Sequence, residues 1–76
     1  MNVLPPAHSG MQDVRVEIFT PAFRKVLDEV FPSVPAGVAV KVELKDQAGK
    51  PLANGIYYVA VTVGGKRSIG KLLIIR

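Results

Sequence analysis

Few side chains in this sequence have the chemistry of a reacting group, and their spacing keeps them apart. The single histidine, His8, lies in a stretch rich in proline, serine and glycine, without a second histidine or cysteine and with no carboxylate before Asp13. A metal site or an imidazole-based acid–base pair needs such neighbours, so His8 reads as a solvated loop residue. Ser9, Ser33 and Ser68 lie outside any G-x-S-x-G turn that would present a hydroxyl as a nucleophile. Of the six carboxylates, Glu17 and Glu43 occupy outward positions of alternating segments, Asp13 precedes one, Asp46 opens a turn, and Asp28-Glu29 share a short segment. That spacing forces no two of them together as a hydrolytic pair. There is no phosphate loop, dinucleotide fingerprint or zinc spacing, and no cysteine for a disulfide or thiolate site. Gly64-Gly65-Lys66 has the glycines of a phosphate loop but no helix after it to aim amides at a phosphate, so it reads as a hairpin turn. The expectation is a non-enzymatic chain with no catalytic residue, metal or cofactor.

Binding chemistry is better represented. The net charge of +4 is unevenly placed: residues 1–63 carry six basic and six acidic side chains, while Lys66, Arg67, Lys71 and Arg76 have no acidic counterpart after residue 63. These four cations form a candidate interaction surface for an anion or nucleic acid. The competing reading is that they keep a terminal strand soluble and stop another chain from adding to its edge. No aromatic ladder accompanies them as single-strand binding requires. Tyr57-Tyr58 is a potential stacking pair, but adjacent strand residues point to opposite faces, so one enters the core and Tyr58 joins the candidate surface.

The elements that position these residues are read as strands. With 76 residues there is room for one domain with a thin core, and no apolar run approaches the ~20 residues of a spanning helix. Residues 1–12 form an extended lead-in or linker without the charged and apolar regions of a signal peptide. From Asp13 to Thr20, Val14, Val16 and Ile18 alternate with Arg15, Glu17 and Phe19, as in a half-buried strand. Residues 21–31 fit two patterns. Phe23, Val26, Leu27, Val30 and Phe31 make a helical stripe behind a Thr20 cap and Pro21, whereas a turn at Thr20–Arg24 followed by a strand from Lys25 to Phe31 fits the same residues. Ser33 to Gly37 reads as a loop, and Val38 to Lys45 as a plain strand with Val38, Val40, Val42 and Leu44 inward.

The most informative run follows. Asp46 and Gly49 stand as first and last residues of a type I turn, Pro51 denies the next segment a donor, and Asn54-Gly55 closes a hinge that delivers a strand at Ile56. In Ile56–Val63 both alternating faces are apolar, which points to a central strand. Gly64-Gly65 turns the chain into a last strand, Arg67–Arg76, in which Gly70 marks a bulge or a close approach. Five strands joined by short turns make a small sandwich or open barrel.

Several of these residues resemble a known family. Val14 to Thr20, Arg24-Lys25-Val26, the run from Asp46-x-x-Gly49-Lys50-Pro51-Leu52-Ala53-Asn54-Gly55 to Tyr57-Tyr58, and the closing Gly70-Lys71-Leu72-Leu73-Ile74-Ile75-Arg76 resemble the immunoglobulin-like domain of the flagellar hook-capping protein. They are also similar to the C-terminal modules of large exported bacterial proteins, including those sorted by the type IX route. The resemblance covers residues 13–76. It departs from the family at the strand before the Asp46 turn, where a tryptophan is usual and this chain has Val42 or Leu44.

The resemblance implies a small immunoglobulin-like, fibronectin-III-like antiparallel β-sandwich, with strand rather than helix at Lys25–Phe31. It implies a passive module, exported or at the cell surface, that docks on a protein partner or presents its last strand to secretion machinery. The alternative is a small stand-alone nucleic-acid or polyanion-binding β protein using the basic last hairpin. The apolar run Leu72–Ile75 also offers a surface for pairing two copies across a two-fold axis.

Overall fold

The structure is a computed structural model that describes residues 1–76. The chain is all-β with two antiparallel sheets. Strands β1 (Asn2–Val3), β2 (Met11–Phe19), β3 (Lys25–Pro35), β4 (Val40–Lys41), β5 (Gly55–Val63) and β6 (Lys66–Ile74) follow in order. The larger sheet has the order β3-β2-β5-β6 and the smaller pairs β1 with β4.

Residues 21–31 form a turn and a strand. The Thr20 hydroxyl accepts from the Arg24 amide at 3.1 Å, and the Thr20 amide donates to the Arg24 carbonyl at 2.9 Å. The helical stripe is thus a short-range coincidence overridden by pairing, since nearly every position of β3 finds a partner on β2. β3 also runs through Pro32 to Pro35, where the sequence reads as a loop. Pro32 is tolerated because β3 is an edge strand and because the register shifts at this point, with Phe31 opposite Val14 and Val34 opposite Gln12. Asp13 stabilises the shift by accepting the Ser33 amide at 3.0 Å.

Two further expectations change. The segment Val38–Lys45 keeps its alternation, with Val40 and Val42 buried, but the ladder shrinks to Val40–Lys41 and Val38 is exposed. Its partner is the lead-in itself. β1 pairs with β4, the Val42 amide donates to the Met1 carbonyl at 2.7 Å, and Met11-Gln12 already belong to β2. The linker reading of residues 1–12 therefore gives way to a segment packed on the core through Met1 and Val3. His8 is half-buried rather than solvated, its ring nitrogens 3.2 Å from the Pro6 carbonyl and 3.1 Å from that of Val34.

The core lies between the inner face of the larger sheet and the segment carrying Val40, Val42 and Leu52. Val14, Val16 and Ile18 of β2 are fully buried there, beside Leu27, Tyr57, Val61, Val63 and Ile74. β5 is central, as its two apolar faces indicate. Gly64 and Gly65 take φ of 54° and 81°, the left-handed pair of a tight hairpin. Gly70 is neither bulged nor crowded; it pairs in register with Val59.

Candidate functional site

The outer face of the larger sheet has no second layer, and the candidate surface lies there. Register fixes its membership. Opposite Arg15, Glu17 and Phe19 of β2 stand Thr62, Ala60 and Tyr58 of β5, and opposite those stand Arg67, Ile69 and Lys71 of β6. Ile56 and Leu73 continue the same face.

One end of this face is ionic. A register shift between Ile18 and Phe19, next to the Thr20–Arg24 turn, sets Glu17 directly across from Asp28; Lys25 and Arg15 contact both carboxylates and Arg67 contacts Glu17. Lys25 lies 2.9 Å from Glu17 and 3.1 Å from Asp28; Arg15 lies 2.7 Å from Asp28 and 3.8 Å from Glu17; Arg67 reaches Glu17 at 4.0 Å. Arg15 meets Asp28 through two hydrogen bonds, Nε at 3.0 Å and a terminal nitrogen at 2.7 Å, a fork that fixes both planes. These bonds hold the Asp28 carboxyl down at about 2, the Arg15 bond being the largest cause and the Lys25 bond reinforcing it. Reciprocally, Lys25 is raised by its bonds to Glu17 and Asp28, and Arg15 is raised by Asp28. Glu17 lies on the outer face as its alternation indicates, but it is buried under this cluster. What sequence spacing alone missed is the roof of cations. The Thr20–Arg24 turn, centred on Ala22, would by itself set Leu27 opposite Glu17; the register shift between Ile18 and Phe19 brings Asp28 there instead, and nothing local in the sequence marks it.

The other end is apolar. Tyr58 stacks on Phe23, ring centroids 5.7 Å apart and planes 11° from parallel. Phe23 is 75% exposed and holds a φ of 61°, a left-handed conformation that costs a bulky residue roughly 1 kcal/mol. Ile69 and Leu73 are 64% and 60% exposed on the same face with Lys71 between them, and half-exposed Ile56 stands opposite Leu73.

The four cations of the last hairpin are not gathered into one patch. Arg67 and Lys71 lie on the outer face, Lys66 alternates to the inner one opposite Val63, and Arg76 folds back to donate to the Leu52 carbonyl at 2.8 Å. Only Lys66 and Lys71 are without an ion-pair or hydrogen-bond partner. The turn residues are placed as the sequence indicates: the Asp46 carboxylate accepts the amides of Ala48 and Lys50, each at 2.9 Å, and the Gly49 amide closes on the Asp46 carbonyl at 3.0 Å. Asn54 bends the chain into Gly55, where β5 begins. Beneath this hinge Tyr57 enters the core and its hydroxyl donates to the Ala53 carbonyl at 2.7 Å.

A shallow cleft of about 290 Å³ runs between Asp28-Glu29 and the Glu43–Asp46 segment. Its carboxylates form no cluster with the geometry of metal ligands. No helix is long and apolar enough to cross a membrane. Comparison with protein-family models, with curated proteins and with solved structures found no match.

Proposed function

We propose that this chain is a non-enzymatic, immunoglobulin-like interaction or sorting module of a larger exported or cell-surface bacterial protein, docking on a protein partner through the outer face of its larger sheet. The observation that supports this most is the pairing on that face of exposed Phe23, Ile69 and Leu73 and half-buried Tyr58 with an ionic cluster in which three cations surround two carboxylates. Exposed apolar patches of this kind are characteristic of interaction sites, and a rigid aromatic beside fixed arginines is the composition of binding hot spots. The strained backbone at Phe23 fits the same reading, since it holds an aromatic ring in solvent-facing contact with Tyr58. The turn from Asp46 to Tyr58 and the two-sheet core agree with the immunoglobulin-like resemblance.

The test is a pair of charge substitutions on exposed positions, Ile69→Glu with Leu73→Glu, in the full-length native product. Loss of surface attachment or partner retention, with the module still folded, is the expected outcome; unchanged attachment overturns the reading. The alternative, a polyanion binder, rests on Lys66 and Lys71 once Arg67 is paired with Glu17 and Arg76 with the Leu52 carbonyl. It would bind duplex DNA with a log-log salt slope of about −2, from roughly −0.9 per phosphate contact.

A further inference from the structure

The two sheets leave one side of the molecule open. β1 pairs only with β4 and β6 only with β5, so both end in unpaired edges. Between those edges runs a groove of about 260 Å³, with Val59 and Val61 of β5 and Ser68, Gly70 and Leu72 of β6 on one side and Met1–Val3 on the other. The inner face of β6 is stripped of bulk here. Lys66 is exposed, Ser68 is small, and a Cβ placed on Gly70 would meet no atom within 4 Å. Val59 and Leu72 are consequently left half-buried on the groove floor.

We propose that this groove receives an extended segment of a partner protein, added as a further strand along β6, with small aliphatic residues at alternate positions and acidic residues between them. The inference rests on the reading of the chain as a docking module, but it uses the inner face of β6 rather than the outer one. β6 offers nine residues of free backbone edge, which is what strand addition requires. Side chains of the added strand alternate in step with those of β6. Those facing the groove meet Val59, Gly70 and Leu72; those facing out lie beside Arg67, Ile69, Lys71 and Leu73, so an acidic residue is favoured where it stands next to Lys71 or Arg67. Lys71 has no acidic partner, and no acid occurs between residues 64 and 76 to supply one. A second copy of the chain is a poor occupant, because it would bring another unpaired Lys71 and another Arg67 to this edge and no acid from its own β6. A small-molecule ligand is also disfavoured, since the groove is open and falls below the ~300 Å³ where enclosed ligand pockets begin.

The test uses a synthetic nine-residue peptide alternating valine and glutamate, titrated into the isotopically labelled chain and followed by amide shifts and amide exchange. Saturable binding below about 1 mM, with new protection confined to residues 66–74 and 1–3, is expected. Replacing glutamate by lysine in the peptide weakens binding about tenfold, from the loss of two charge pairs and the gain of two repulsions. Gly70→Leu fills the groove and weakens binding at least as much while the fold is retained; Ser68→Leu is the second variant should Gly70→Leu fail to fold. Equal binding of the two peptides, or binding untouched by both groove variants, overturns the proposal. So does saturation by single-stranded DNA in place of the peptide, or a dimer in sedimentation that occupies the edge. Attachment lost in Ile69→Glu/Leu73→Glu but unchanged in Gly70→Leu removes the groove while the docking reading stands. Peptide binding as expected, with attachment unaffected by the outer-face pair, does the reverse.

Discussion

Replacing Ile18 by alanine tests which face of the larger sheet is the packed one. Ile18 is fully buried near the C-terminal end of β2, paired with Leu27 of β3 and Val59 of β5. The substitution removes three carbon groups, about 2.4 kcal/mol at roughly 0.8 kcal/mol each. Its ladder neighbours on both sides are fixed, so the site cannot collapse, and the cavity term raises the cost to about 3–4 kcal/mol. A chain of 76 residues has a total stability of about 4–11 kcal/mol, so this one change takes a large share. Urea unfolding followed by tyrosine fluorescence or circular dichroism reads it as a midpoint drop of about 2–4 M, at a slope near 1–1.5 kcal/mol per molar. Ile56→Ala is the matched control. Ile56 lies on the outer face of the adjacent strand and is 52% exposed, so it loses less than about 1 kcal/mol. Comparable losses from the two alanines would refute the reasoning, because they would mean that the outer face is packed and unavailable for docking.

The remaining predictions concern single bonds and one titration. Tyr57→Phe keeps the buried ring and deletes only the bond to the Ala53 carbonyl, so it costs about 1 kcal/mol in the same urea assay. Asp46→Ala removes the acceptor of two turn amides and costs about 1–2 kcal/mol, with faster amide exchange at Ala48 and Lys50 as the local sign. Asp28 has a folded pKa of about 2 against an ordinary value of 3.8, so its contribution is complete above the higher value and is lost as pH falls towards the lower. Because the carboxylate is partly open to solvent, that contribution is held to about 1 kcal/mol. Asp28→Asn should therefore lie below the parent by that amount at neutral pH, with the two stability curves meeting near pH 2. A gap that persists at low pH would show that the loss is steric rather than ionic.

The parts of the fold that are legible in the sequence are those determined over a few residues. The Asp46–Gly49 turn follows from one carboxylate reaching two nearby amides, and the Gly64-Gly65 hairpin from two positive φ angles. β5 is readable because β-branched and aromatic residues line both of its faces. What is lost is whatever depends on distant chain. By local rules residues 21–31 satisfy a helical stripe better than a strand, and it is β2 that supplies the partners for a strand. Residues 1–12 carry no period, and their packing is created by Val40 and Val42. Val38–Lys45 has the pattern of a long strand, but β1 is only two residues long, so most of its ladder has nothing to pair with.

The site follows the same division. That Tyr57 and Tyr58 point to opposite faces comes directly from alternation; that Tyr57 is the buried one is decided by the packing. The ionic roof over Glu17 does not, because Lys25 and Asp28 reach it across the hairpin and Arg67 from two strands away. Nor does the exposed ring of Phe23, which sits in the turn that a helix would have absorbed. The four cations of the last hairpin look like one group in sequence; strand alternation and the Arg76 bond to Leu52 disperse them.

The most direct measurement is the surface-attached fraction of the full-length native product, by whole-cell antibody labelling, for the parent and for Ile69→Glu with Leu73→Glu. Both side chains are exposed, so circular dichroism of the isolated module should be unchanged. The account predicts that attachment falls at least tenfold, as expected for burying two carboxylates against an apolar contact. Attachment equal to that of the parent, with the module folded, would contradict the outer face as the docking surface.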